Sequence, residues 1–192
     1  MRLNDPLVTS FSFCEKTYPI DLAFDNVLDV FDVLADKELF SKQKIDLVIE
    51  LLVGETDLGL SEKLDMWELI RSKFILFEGN NQPEIDELGN ELPTKPTKKS
   101  LDIVYDAKYI YASFRQIGIN LFAEQGKLSW QEFQALLESL PDDSIMQRII
   151  QIRNWEPQKG MDAKEKRRMR ELQRKYALPN MLREEDALHK VS

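Results

Sequence analysis

The sequence contains very few of the residues on which catalytic and metal sites depend. Of its 192 residues, one is a cysteine, Cys14, and one is a histidine, His189. A single thiol excludes an internal disulfide and any metal site built from several thiolates. His189 lies in a polar C-terminal tail, where a catalytic side chain would not be held in a defined geometry. Phosphate-binding loops of the GxxxxGK and GxGxxG types are also absent. We therefore expect no cofactor, no metal site and no enzymatic activity.

Glycine and long apolar runs are scarce as well. The chain has 7 glycines, and no window approaches the roughly 18 apolar residues of a membrane span. Its periodic segments are long, which favours helix over sheet. A hydrophobic content of 43% is enough to form a core. Because the N-terminal residues lack the apolar run of a secretory signal, we expect a cytoplasmic protein with no membrane partner.

Charge is distributed unevenly along the chain. Residues 1–100 hold 11 basic and 20 acidic side chains, whereas residues 101–192 hold 15 and 14. The acidic first half would repel phosphates, which argues against nucleic-acid binding there. Residues 159–175 are the local exception, with 8 basic and 3 acidic side chains. This segment is the candidate for an anionic partner.

The patterns predict a mainly α protein made of two small helical parts joined by a mobile linker. The segment 79–100 contains three prolines, two glycines and many polar residues, which is typical of a linker that buries little surface. The weakly alternating, β-forming residues of Val8–Phe13 are followed by Thr17–Leu22, in which Pro19 indicates an edge strand, and together they predict a short N-terminal β-hairpin. The predicted divisions are an acidic N-terminal part at 1–78 with its hairpin at 8–22, the linker at 79–100, a C-terminal helical part at 101–178 and a tail at 179–192.

Helix signals are clearest in the second part. Ser129 and Glu132 have the spacing of a capping box, which predicts a helix start at this point. Asp142 or Asp143 is expected to cap the following helix, because the pair follows a proline and precedes an apolar segment. Asp162 opens the basic helix in the same way.

The candidate partner-binding residues are aromatic and basic. Trp130 and Phe133 stand at helical spacing and are core residues in the simpler interpretation. Together with Tyr105, Tyr109, Tyr111 and Phe114, however, they are close in sequence and can exceed what a small bundle hides. Trp155, beside Arg153 near a helix end, is the better surface candidate. The basic helix adds three arginines, Arg167, Arg168 and Arg170. A nucleic-acid-binding regulator using residues 159–175 is the alternative to protein contact, although an apolar edge on that helix suits docking on protein.

The stretch from Tyr105 to Trp155 resembles a tail assembly protein family encoded just upstream of the tape-measure gene in long-tailed phages and prophages of Gram-positive bacteria. The resemblance covers about residues 101–178 in motif and the first hundred residues in character. One departure is Gln131, where a second aromatic is common in the family. The matching motifs are Asp106-Ala107, Ile110–Phe114, Gly118–Leu121, Leu128–Leu136, Leu140–Asp143 and Ile149–Arg153.

The resemblance implies a non-enzymatic chaperone of tail morphogenesis. Such a protein would bind the tape-measure protein, keep it soluble and help recruit tail-tube subunits in the host cytoplasm. It would be absent from the finished virion. A helical protein with a spare apolar face can cover apolar helical stripes by helix-in-groove contact. Self-association is compatible with this role, whereas nucleic acid is not an expected partner.

Overall fold

The computed structural model describes residues 6–76 and 100–179. Within these ranges the chain is mainly helical with one two-stranded antiparallel sheet, so the predicted fold class is confirmed. The linker predicted at 79–100 and the tail at 179–192 lie outside the described residues, apart from Ser100 and Pro179. The elements are β1 Ser10–Phe13, β2 Lys16–Pro19, α1 Phe24–Ala35, α2 Ser41–Val53, α3 Leu60–Ile70, α4 Ala107–Gln116, α5 Trp130–Glu138, α6 Ile145–Arg153 and α7 Ala163–Tyr176.

The N-terminal hairpin forms where the alternating pattern predicts it. Strands β1 and β2 pair in register from Ser10 with Pro19 to Phe13 with Lys16. The two loop residues, Cys14 and Glu15, have φ angles of 46° and 63°. A two-residue loop with both residues left-handed matches the twist of the flanking strands, although glycine or asparagine usually occupies such positions.

The described chain separates into two compact units. Unit 1 comprises Met1–Gln82 and Phe122–Glu138, and unit 2 comprises Pro83–Leu121 and Ser139–Ser192. This division differs from the sequence-based one, which assigned residues 122–138 to the C-terminal part. The chain therefore enters unit 1 a second time after Leu121 and leaves it after Glu138.

Unit 1 contains the hairpin, α1, α2, α3 and α5. Helices α1, α2 and α3 pack in sequence order, and their apolar stripes form the core, including the fully buried Val27, Val48, Met66 and Ile70. Helix α3 continues into a π-helical turn at Arg71–Ile75. The second segment of unit 1 is held to the first by backbone pairing. The amide of Trp130 donates to the carbonyl of Leu22 at 2.7 Å, and that of Phe24 to the carbonyl of Leu128 at 2.9 Å.

Unit 2 contains α4, α6 and α7, with α6 packed against both other helices. Its interior includes Ile110, Phe114, Met146 and Ile149. The Ser113 hydroxyl links two helices, because it accepts a hydrogen bond from the Met146 amide at 3.0 Å and donates to the Tyr109 carbonyl at 2.8 Å.

Of the predicted caps of α5 and α6, the structure confirms the first and not the second. The capping box forms as predicted, since the Ser129 amide donates to Glu132 Oε2 at 3.0 Å and the Glu132 amide to Ser129 Oγ at 3.3 Å. The expected Asp142 or Asp143 cap is wrong. Ser144 caps α6, its Oγ accepting from the Gln147 amide at 3.3 Å. Both aspartates remain exposed one or two residues before this cap.

Candidate partner-binding surfaces

The aromatic candidates Trp130 and Phe133 lie in the interior of unit 1. They are only 2% and 1% exposed. Their rings stack on each other at 5.5 Å between centroids, and Phe133 stacks on Phe24 of α1 at 5.1 Å. Trp130 also meets Phe31 edge to face at 5.5 Å. Its indole Nε1 donates to the Ile75 carbonyl at 3.1 Å, so the polar atom of the ring is satisfied inside the unit. These two side chains stabilise the unit, and their burial does not support a partner surface at this position.

Arg153 lies in the interior of unit 2. Its guanidinium forms a two-point ion pair with Asp106, with Nη1 to Oδ2 at 2.6 Å and Nη2 to Oδ1 at 2.7 Å. The two side chains are 1% and 0% exposed. Arg153 Nε donates to the carbonyl of Tyr176 at 2.6 Å, and Nη1 to the carbonyl of Ser100 at 2.9 Å. Asp106 Oδ2 also accepts from the Asp102 amide at 3.0 Å. Arg153 therefore joins the start of α4 and the ends of α6 and α7, and it is not available to a partner.

The remaining candidates lie at the surface of unit 2. Trp155 is half-buried just after α6, and its carbonyl accepts from Gln173 Nε2 of α7 at 2.8 Å. Arg167, Arg168 and Arg170 are exposed on α7. The structure thus divides the seven predicted residues. Three are interior, and four remain at or near the surface.

A group of exposed leucines in unit 1 was not identified from the sequence. Leu47 of α2 and Leu60 and Leu64 of α3 are 37%, 41% and 45% exposed. An ion pair between Lys63 Nζ and Asp46 Oδ1, at 2.7 Å, joins α2 and α3, and the two charged residues immediately precede Leu64 and Leu47 in the sequence. We call these three residues the leucine surface. The exposure of Leu47 could have been predicted from helical periodicity, because Leu47 falls outside the apolar stripe of its helix. That stripe consists of Ile45, Val48, Ile49 and Leu52.

Metal ligands, perturbed pKa values and membrane-spanning helices are rare or absent among the described residues. Between residues 6 and 76 and between 100 and 179, no group of three or more His, Cys, Asp or Glu side chains is arranged to hold a metal ion. The hydrogen bond from Lys63 lowers the pKa of Asp46 below its ordinary value, and this carboxylate belongs to a surface ion pair. No helix in the described ranges combines the length and apolarity needed to cross a membrane.

Two open depressions in unit 2 are lined only by α7 and its N-terminal neighbour Asp162. A small-molecule site usually gathers walls from several elements, so these depressions are grooves between the long side chains of one helix.

Comparison with known proteins identifies a family. A model of the family described as "Bacteriophage Gp15 protein" matches residues 3–178. No curated protein and no solved structure matches the chain. The match spans both compact units.

Proposed function

Because the chain belongs to the bacteriophage Gp15 protein family, we propose that it is a non-enzymatic chaperone of tail assembly. In this proposal the protein binds the tape-measure protein, keeps it soluble and helps recruit tail-tube subunits. The support is the family match over residues 3–178, together with the resemblance of the motifs between residues 101 and 178 to a tail assembly protein family. The chaperone would act in the host cytoplasm and leave before the virion is complete.

The leucine surface is the observation that best fits such a partner. Leu47, Leu60 and Leu64 lie on two neighbouring helices and keep a substantial part of their side chains in water. Single exposed apolar residues are ordinary, but three on one pair of helices offer an apolar contact. A tape measure is expected to expose long apolar helical stripes, and such stripes are recognised by helix-in-groove docking. We therefore place the tape-measure contact on α2 and α3.

Co-purification tests the function directly. The tagged chain is co-expressed with a tape-measure fragment and, separately, with the tail-tube protein. We expect the tape-measure fragment, insoluble when expressed alone, to become soluble and to co-elute with the chain. If neither protein co-elutes at any salt concentration while the chain itself elutes folded, the chaperone proposal is refuted.

Variants on α3 locate the contact. Leu60→Gln together with Leu64→Gln removes apolar surface without disturbing the core, so we expect co-elution to be lost or strongly reduced. Asp65→Gln is the matched control, because Asp65 is exposed on the same helix and lies outside the leucine surface. Trp155→Ala tests the other surface candidate. Loss of co-elution with Trp155→Ala alone would move the contact to unit 2.

A further inference from the structure

Helix α7 carries an exposed row of arginines. Arg167, Arg170 and Arg174 stand at i, i+3 and i+7, so they share one face of the helix. All three are exposed, with the Arg167 side chain 83% exposed. The half-buried side chains of Leu172 and Tyr176 follow the opposite edge, where α7 packs on α6. We call the three residues the arginine face.

The arginine face is largely unpaired within its own unit. Arg167 contacts Glu171 at 3.1 Å, and both side chains are exposed, so the pair contributes little and can exchange partners. In the described part of the chain no carboxylate forms an ion pair with Arg170 or Arg174. Three neighbouring cations on one helix repel one another, and a row of carboxylates would relieve that repulsion.

Helix α1 and its C-cap residue Asp36 carry such a row at the same spacing. Asp29, Asp32 and Asp36 also stand at i, i+3 and i+7, and all three are exposed. We call them the aspartate face. The last turn of α1 contains no basic residue, although the C-terminal end of a helix favours positive charge. Across residues 6–76 and 100–179, no lysine or arginine forms an ion pair with these aspartates.

We propose that the arginine face of one copy binds the aspartate face of a second copy. Seven residues of helix span about 10 Å, so two parallel helices bring all three pairs into register at once. The planar fork of arginine suits carboxylates in particular. A nucleic acid would also present anions, but residues 1–100 carry a surplus of nine acidic side chains that repels phosphate. The inference is independent of the tape-measure proposal.

Because the contact joins two different surfaces, it is compatible with two kinds of oligomer. A pair of copies can form it twice around a two-fold axis, or successive copies can form it in a chain or ring. In either case the contact is polar and exposed, and its strength must fall as salt screens the charges.

The association is measured with the full chain by sedimentation velocity at about 50 mM and about 500 mM salt. We expect self-association at low salt and an apparent Kd at least about tenfold weaker at high salt. A chain that stays monomeric at low salt at the highest attainable concentration overturns the proposal. So does association that is equally strong at both salt concentrations.

Charge reversal identifies the two faces. One variant changes the three arginines to glutamate, a second changes the three aspartates to lysine, and a third combines all six changes. We expect each single-face variant to lose association at least about tenfold. The combined variant should regain it, because its formal net charge returns to the native −8 and its faces are complementary again. Failure of the combined variant to associate, with helicity intact by circular dichroism, contradicts the proposed pairing.

A DNA-binding measurement tests the alternative that the arginine face binds nucleic acid. A labelled DNA duplex is titrated with the native chain and with the arginine-face variant at low salt. We expect no binding by either chain. Salt-sensitive binding that requires the arginine face, in a chain that does not self-associate, overturns the proposal in favour of a nucleic-acid partner.

Discussion

The buried ion pair of Arg153 and Asp106 allows a sharp test of the unit 2 structure. The perturbation is Arg153→Met, which keeps the volume of the side chain stem and removes the guanidinium. The Asp106 side chain then remains buried without its partner, and the carbonyls of Tyr176 and Ser100 each lose a donor. Removing one partner of a buried ion pair costs about 3–5 kcal/mol. A single domain has about 5–15 kcal/mol in total, so this loss is a large fraction of the stability of unit 2.

A double substitution separates the pair from its surroundings. With Arg153→Met and Asp106→Leu together, no charge is left buried, yet the Asp102 amide and the two carbonyls still lack their partners. Each such loss costs about 1 kcal/mol or more. The double variant should therefore be more stable than Arg153→Met and less stable than the native chain. In a double-mutant cycle that also includes Asp106→Leu alone, the interaction energy between Arg153 and Asp106 should reach about 2 kcal/mol.

The assay must report on each unit separately. The chain has three tryptophans, of which Trp67 and Trp130 belong to unit 1 and Trp155 to unit 2. Incorporation of fluorotryptophan gives three resonances in ¹⁹F NMR, which are followed through a urea titration. In Arg153→Met we expect the Trp155 resonance to convert at a lower urea concentration than in the native chain. Arg170→Met is the matched control, because Arg170 is exposed, and it should change stability by less than about 0.5 kcal/mol.

Two results would refute the reasoning. One is a Trp155 midpoint in Arg153→Met that is unchanged or raised relative to the native chain. The other is an equal loss in Arg153→Met and Arg170→Met, which would show that the ion pair does not hold unit 2 together.

Three further predictions follow from individual contacts. Trp130→Ala should destabilise unit 1 by about 3–5 kcal/mol, whereas the half-buried Trp155→Ala should cost unit 2 less than half as much; urea titration decides. Glu15→Gly should raise the melting temperature, with a gain of about 0.5–1 kcal/mol, because its φ of 63° favours glycine. Lys63→Met should raise the pKa of Asp46, measured by carboxyl NMR titration. The native ion pair stabilises the fold at pH values above the unfolded-state pKa of Asp46. This stabilisation is lost as the pH falls through the lowered pKa of Asp46 in the folded protein. In Lys63→Met we expect the pH-dependent loss of stability to disappear.

Strands and helix starts were predicted well from local sequence signals, because these structures depend on residues that are close together in the chain. The hairpin follows from the weak alternation of Val8–Phe13, and the Ser129–Glu132 capping box from a spacing of three residues. The Asp142 or Asp143 cap was wrong by one or two positions. Aspartate and serine are both good caps, and composition does not distinguish them.

The candidate site was harder to predict because exposure is a property of the assembled unit. Aromatic excess suggested that Trp130 could face a partner, but the structure places its ring beside Phe31 and Phe133. Arg153 is a predicted partner-binding residue because it stands beside Trp155 near a helix end, yet its side chain is buried. Its partner Asp106 lies 47 residues earlier, and nothing in the local sequence indicates the pairing.

The sequence by itself determined that this protein is mainly helical, that a helix begins after Ser129 and that the helix after Asp162 is rich in arginine. These properties depend on periodicity and on caps within a few residues. Only the tertiary structure decided that residues 122–138 complete unit 1, that Arg153 and Asp106 are a buried pair, and that three leucines remain exposed. Those outcomes depend on contacts between segments far apart in the sequence, such as the hydrogen bond between Leu22 and Trp130, and packing decides them.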